Sequence, residues 1–391
     1  MTLSLEIAND DGLRRLYAFY MRQLGQPFFI DVSGPPPMMR RERFAEYCTE
    51  NDSAMLLCLR GQELVGCTHF RDKQPGLELA NFDTVFFNGY PGADSDEARD
   101  FGASFRAACA NQKLSRVQLL ALKEESEKIA LLESIGFKNE GVLREHYFFG
   151  GAYHDLVMLG WTSDDRAARL AALAEEDSDN AIPTSLTVTA KSTPKSSTMP
   201  GASPLQKGML SRRVASDDAE LLIRWYGDPL IQETIEDEEL SPEGLRAKAG
   251  KLAGLDEFQD GECAFIIEFD GEPVALAHYM WFDWVSRTVE LDFFLAPDLR
   301  AGPFMVRVVL REIGRIAFEG FHIHKMYGFT YANNDMSLRL NANFLETEAI
   351  LKDYLPRAGG GADVHVQGML ASDYYRKFAR AARIQKEPNG R

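Results

Sequence analysis

The sequence predicts an α+β architecture built twice, on three observations. Two stretches of comparable size flank a Ser/Thr/Pro-rich segment, each carries a β-hairpin pattern, and the same run of elements follows each hairpin. From about Ala172 to Lys207 the composition changes: residues 175–208 read "EEDSDNAIPTSLTVTAKSTPKSSTMPGASPLQKG" and contain no aromatic residue. Such a segment buries too little apolar surface to offset its ordering entropy, so it reads as a flexible linker. The expected division is 1–171 as a first domain, 172–207 as linker, 208–380 as a second domain and 381–391 as a disordered tail.

The elements follow in order. "SAMLLCLRGQELVGCTHF" (53–70) and "CAFIIEFDGEPVALAHYM" (263–280) each place two β-rich runs around a Gly turn, a hairpin signal. With Gly61 set against Gly271 and a one-residue gap, Ala54 aligns with Ala264 and His69 with His278. Before each hairpin lies a helical pair. Asp11–Leu24 and Asp217–Ile235 open on acidic residues and carry apolar residues at helical spacing, and Met39–Asn51 and Ser241–Gly254 follow as second helices. After each hairpin come strand, loop, helix, strand and helix, with "RVQLLAL" (116–122) matching "KMYGFTY" (325–331). Two strands close each half, "EGVLREH" and "DLVMLGW" in the first, "EAILKDYL" and "DVHVQGML" in the second.

Composition excludes several classes. A hydrophobic fraction of 45% with 11% aromatics supports real cores over 391 residues. No run reaches the roughly 18 uninterrupted apolar residues of a membrane span, and "MTLSLEIANDDG" lacks a signal-peptide pattern, so a cytoplasmic protein with no membrane partner is expected. The net charge of −16 and the lack of a basic stripe argue against nucleic acid. Five scattered cysteines show no metal-ligand spacing, and no metal is expected.

The stretch "LKEESEKIALLESIGFKNEGVLREHYFFGGAYHDLVMLGW" (122–161), with Gly136, Phe137, Glu140, Gly141, Gly150, Gly151 and Asp155 on pattern, resembles the GNAT acetyltransferase family. In the second half "WYGDPLIQ", "VELDFFLAPDLRAG" and "YANNDMSLRL" are similar to that family's first helix, fourth strand with donor loop, and fifth strand end with its helix. The resemblance implies two tandem folds of the family, each a mixed, mostly antiparallel central sheet flanked by helices. It further implies acyl transfer from a pantetheine thioester to an amine, directly and with no covalent acyl-enzyme. The co-substrate would be acyl-CoA or acyl-phosphopantetheine on an acyl carrier protein, with no tightly bound cofactor. The acceptor would be an amine-bearing small molecule or peptide, in a biosynthetic pathway. A non-catalytic binding or regulatory protein is the alternative.

The halves depart from the family pattern differently. In the first, Glu97 and Asp100 fall where the donor loop wants Gln/Arg and Gly, Glu125 replaces an Asn and Leu132 a Tyr, so this half is expected to be non-catalytic. A pyrophosphate beside Asp94, Asp96, Glu97 and Asp100 would meet like charge. In the second, Phe294, Leu295, Ala296, Arg300, Ala301, Gly302, Met305 and Asn334 match donor-binding positions, with Asn341 at the Tyr site. Backbone N–H groups at a helix N-terminus suit a pyrophosphate there. Glu290 matches the family's strand carboxylate and is the candidate base, with His278 a second; Tyr331 is the candidate proton donor. Arg307, Arg311 and Arg315 repeat along one helix face, a candidate surface for an acidic carrier protein.

Overall fold

The computed structural model describes residues 2–22, 44, 48, 53–74, 77–166, 208–229, 231, 242–297, 299, 303–357 and 360–379. The expected linker and tail lie outside these residues, as do Arg300, Ala301 and Gly302. The first half runs β1 (Leu3–Ile7), α1 (Asp10–Arg22), β2 (Ala54–Arg60), β3 (Glu63–Gln74), β4 (Leu79–Phe86), α2 (Asp96–Asn111), β5 (Arg116–Leu122), α3 (Ser126–Ser134), β6 (Lys138–Phe149) and β7 (Ala152–Thr162). The second runs β8 (Met209–Arg213), α4 (Ala219–Tyr226), α5 (Pro242–Leu252), β9 (Cys263–Phe269), β10 (Glu272–Asp283), β11 (Thr288–Leu295) and α6 (Pro303–Gly314). It continues with β12 (Lys325–Tyr331), α7 (Asp335–Asn341), β13 (Glu346–Arg357), β14 (Gly360–Leu370) and the short α8 (Ala371–Tyr374).

All strands join one sheet in the order β1-β2-β3-β4-β5-β7-β6-β13-β14-β12-β11-β10-β9-β8. Read outward from the β6–β13 junction, the two halves have the same order. Among the described strands only β4–β5 and β11–β12 pair in parallel. A parallel pair needs a crossover, which α2 and α6 supply. Each half buries both sheet faces. In the first, α2 places Phe101, Phe105 and Cys109 against Phe70, Phe82 and Val117, while α1 covers the other face with Leu13 and Leu16. In the second, α6 contributes Val306, Val309 and Ile313 to the corresponding core, and α4 and α5 cover the opposite face with Leu222, Trp225 and Leu245.

Two expectations are corrected. The helix expected over Asp217–Ile235 is interrupted after Tyr226: Gly227 and Asp228 turn back onto Ile223 and Trp225, and the chain is helical again at Pro229 and Ile231. Residues 216–218 form a separate 3₁₀ turn. The alignment of Ala54 with Ala264 is also off by one. His69 lies opposite Met55, as His278 lies opposite Ala264, because both hairpins shift register at the equivalent place, with Val65 and Val274 as the extra residue, and no gap separates them. Of the expected helix Met39–Asn51, Phe44 and Cys48 are described, and both are helical.

The junction between the halves is polar at its centre. Gly141 of β6 pairs with Ala349 of β13, and a side chain at Gly141 would run into the Glu348 carbonyl at 2.1 Å. Around it Arg116 is ion-paired to Glu140 and donates to the Lys352 carbonyl. At the equivalent place in the second half, Lys325 is ion-paired to Glu348 and donates to the Arg144 carbonyl. Burial pulls the Lys325 ammonium down to about 8, against the attraction of Glu348. Leu120, Leu143, Leu156, Leu351 and Val364 seal the seam with a shared apolar cluster.

All five cysteines are buried and unpaired. No helix among the described residues is long and apolar enough to cross a membrane. Among those residues no cluster of three or more His, Cys, Asp or Glu is placed to hold a metal ion.

Candidate active site

Strands β11 and β12 pair over only three positions, Thr288 with Lys325, Val289 with Met326 and Glu290 with Tyr327. Beyond these they diverge, although each keeps its outer partner, β10 to Leu295 and β14 to Tyr331. The facing backbone edges of residues 291–295 and 328–331 therefore line an opening in the sheet. Its cavity is about 200 Å³ and takes lining from both faces: Asp292, Phe294 and Tyr331 on one, Leu291, Phe293, Val306 and Leu340 on the other. Gly328 stands where the strands part. A methyl there would sit 2.6 Å from the Leu291 carbonyl oxygen, so only glycine lets the backbones approach so closely.

Glu290 sits at the last paired position, on the face of Asp292 and Tyr327. Among the described residues nothing donates a hydrogen bond to its carboxylate. Burial, with the Asp292 carboxylate adding repulsion, pushes the Glu290 carboxyl up to about 7. His278 is directly opposite Asp292 on β10, but its ring is 8% exposed and its Nε2 lies 3.1 Å from Glu262 Oε2. Burial lowers its pKa against the pull of Glu262. That pairing fixes Nε2 on Glu262 and leaves Nδ1 as the ring nitrogen that could accept a proton.

The remaining candidates fall in three groups. Tyr331, Asn334, Asn341, Phe294 and Leu295 line the cavity. Asn334 caps α7, its Oδ1 accepting from the Ser337 N–H at 3.1 Å, and Asn341 is 3% exposed beside Gln367 and Thr330. Phe294 also packs edge-on against Trp225 and Tyr226, which fixes it as a wall. Ala296 is buried with its N–H on the Val274 carbonyl, and Met305 packs into the α6 core; neither faces the cavity. The expected three-arginine stripe is reduced by one. Arg315 is spent on Glu312, at 2.7 Å, and on Ser211, because Glu312 lies one turn before it.

The first half has the same divergence, with β4 and β5 pairing only at Leu79–Asn81 and Arg116–Gln118. Its gap is closed by other side chains. Lys128 of α3 reaches back to Asp83 of β4 at 2.6 Å, both ends buried, and so bridges the diverging strands. In the second half the equivalent positions are Ser337 and Asp292, both lining the cavity. Asn81 stands where the second half has Glu290. The acids expected to repel a pyrophosphate serve the start of α2: Ser95 caps it, Glu97 pairs with Arg60 at 2.8 Å, and Asp100 accepts from the Leu3 N–H.

Sequence reasoning missed Thr330, Gln367 and the Lys128–Asp83 pair. Gly328 inside a strand was a legible sign of close backbone approach. The others are ordinary strand and helix residues whose partners lie tens of residues away.

No curated protein matches the chain. Similar solved structures include spermidine N-acetyltransferase of Vibrio cholerae in complex with CoA and spermine, at 18% identity and a TM-score of 0.38, covering 43% of this chain and 98% of that one. A GNAT-family acetyltransferase of Bacillus anthracis is similar at 15% identity and a TM-score of 0.36, covering 42% of this chain and 96% of that one. The family model described as acetyltransferase (GNAT) domain matches residues 209–343, which hold β8 to α7 and the whole opening between β11 and β12. Residues 209–343 thus match the sequence pattern of a GNAT acetyltransferase domain.

Proposed function

We propose that the chain is a tandem pair in which the second half transfers an acyl group from acyl-CoA to an amine and the first half serves as scaffold. The carrying observation is the coincidence of an open strand gap with a carboxylate tuned to about 7 at its edge. The unpaired edges of β11 and β12 suit an extended amide chain, which the pantetheine arm is. The phosphate contacts would fall to Arg300, at the position that matches the family's donor-binding arginine or glutamine, and to the start of α6. The acceptor amine loses its proton to the Glu290 carboxylate and attacks the thioester carbonyl carbon. The C–N bond forms, the C–S bond breaks, and the sulfur leaves as thiolate, a fair leaving group at an ordinary pKa near 8.5. Tyr331, at the rim of the gap, returns a proton to it. His278 is set one strand back from the gap, on β10, and takes no part in this scheme.

The test is transfer of labelled acetyl from acetyl-CoA to a panel of primary amines, read by mass. A pantetheine arm on an acyl carrier protein presents the same chemistry to the gap, so it forms a second donor arm. Since a base must be unprotonated, the rate should climb about tenfold per pH unit below 7 and level off above it. Glu290→Gln should lower kcat by about 10²- to 10⁴-fold and abolish that limb. An unchanged profile in Glu290→Gln removes the base assignment. Transfer to no amine from either donor favours the binding-protein alternative.

A further inference from the structure

We propose that the side-chain carbonyl of Asn341 is a hydrogen-bond acceptor for an amide N–H of the donor's pantetheine arm. This rests on the donor assignment above. Asn341 is 3% exposed and lines the opening. Its Nδ2 donates to Gln367 Oε1 at 3.1 Å and lies 3.4 Å from Thr330 Oγ1. Gln367, itself 1% exposed, also accepts from the Thr330 hydroxyl at 3.0 Å, while its own Nε2 is turned to Thr347 Oγ1 at 3.4 Å. The acceptor end of Gln367 therefore faces Asn341 and holds the Nδ2 end there, which turns Oδ1 away. Oδ1 is buried and has no hydrogen-bond partner among the described residues.

A buried amide carbonyl left without a donor is costly, and the first half shows that the fold does not need one. In register, Gly328, Thr330, Asn341 and Gln367 correspond to Leu119, Ala121, Leu132 and Leu159. All four of those belong to the apolar core of the first half. The polar set is kept in the half whose gap is open and replaced by packed hydrocarbon where Lys128 closes the gap. A ligand lying between β11 and β12 and offering an N–H satisfies Oδ1. The pantetheine arm carries two amide N–H groups. The role differs from proton donation to sulfur, since an Asn carboxamide at neutral pH holds its protons.

The experiment is calorimetric titration of the full chain with CoA and with two CoA analogues, each with one pantetheine amide N–H replaced by an ester oxygen. Wild type should bind one of the analogues about five- to tenfold more weakly than CoA, the measure of one neutral hydrogen bond. Asn341→Leu should bind CoA weaker by that factor and lose nothing further on that analogue. If Asn341→Leu does not fold, the triple change Thr330→Ala, Asn341→Leu, Gln367→Leu copies the set that packs in the first half. Penalties that add between variant and analogue, or a variant with wild-type affinity for CoA, overturn the proposal. Wild type that binds no CoA at all overturns instead the donor assignment on which it rests.

Discussion

Glu290 and Asn81 occupy the same register position in the two halves, and each suits its surroundings. Asn81 donates to Asp72 at 2.9 Å and accepts from Gln118, whereas Glu290 stands at the last paired position beside the open gap. The same contrast separates Lys128 from Ser337. Burial raises the pKa of Asp83 while Lys128 opposes it, so the pair is held together by each needing the other. Lys128→Ala leaves Asp83 buried and uncompensated, and should cost about 3–5 kcal/mol in urea unfolding. Replacing both, with Lys128→Met and Asp83→Leu, should recover most of that loss, because two apolar side chains satisfy a closed gap as well as an ion pair does. Acyl transfer should persist in both variants. A cost under about 1 kcal/mol for Lys128→Ala would mean that the gap of the first half is wet and open. At this scale the sequence was legible for Glu290, whose spacing from Pro297 and Asp292 marks its strand face. It was silent on Lys128 and Gln367, whose meaning depends on what stands across the gap.

The unit that makes the site is a pair of strands that stop pairing after three residues. No local propensity encodes this: "TVELDFFL" and "KMYGFTY" both read as ordinary strands. Their order and the hairpins before them were legible from alternation and turn residues, since both signals are local. The bounds of the helix after Asp217 were not, because Gly227 and Asp228 interrupt an apolar periodicity that continues past them. Gly328 is the one element-scale feature that sequence could have flagged. Gly328→Val places carbon atoms against the Leu291 carbonyl, so the strands must separate at the neck of the cavity. The donor KM should rise at least about tenfold, with kcat at saturating donor less affected, since the change acts on the binding edge. Steady-state kinetics at varied donor concentration checks this. A pure kcat effect would place the donor elsewhere.

At the scale of the whole molecule, two copies of one topology share a sheet and differ in what fills the gap. The seam repeats itself, with Arg116–Glu140 reaching Lys352 and Lys325–Glu348 reaching Arg144. Lys325 begins β12, so the seam anchors the strand whose far end forms one side of the opening. In the first half Leu119, Ala121, Leu132 and Leu159 occupy the positions that are Gly328, Thr330, Asn341 and Gln367 in the second. Repetition was visible in the sequence because hairpins and turn residues recur. The asymmetry was visible only in part, through Leu132 and Glu125, because the residues that close the gap come from strand and helix together. The central claim is that one gap of the two accepts CoA, and the stoichiometry of CoA binding to the full chain tests it most directly. Calorimetry should give one site per chain, weakened at least about tenfold in Gly328→Val and retained in Lys128→Ala; two sites per chain, or one whose affinity is unchanged in Gly328→Val, would contradict it.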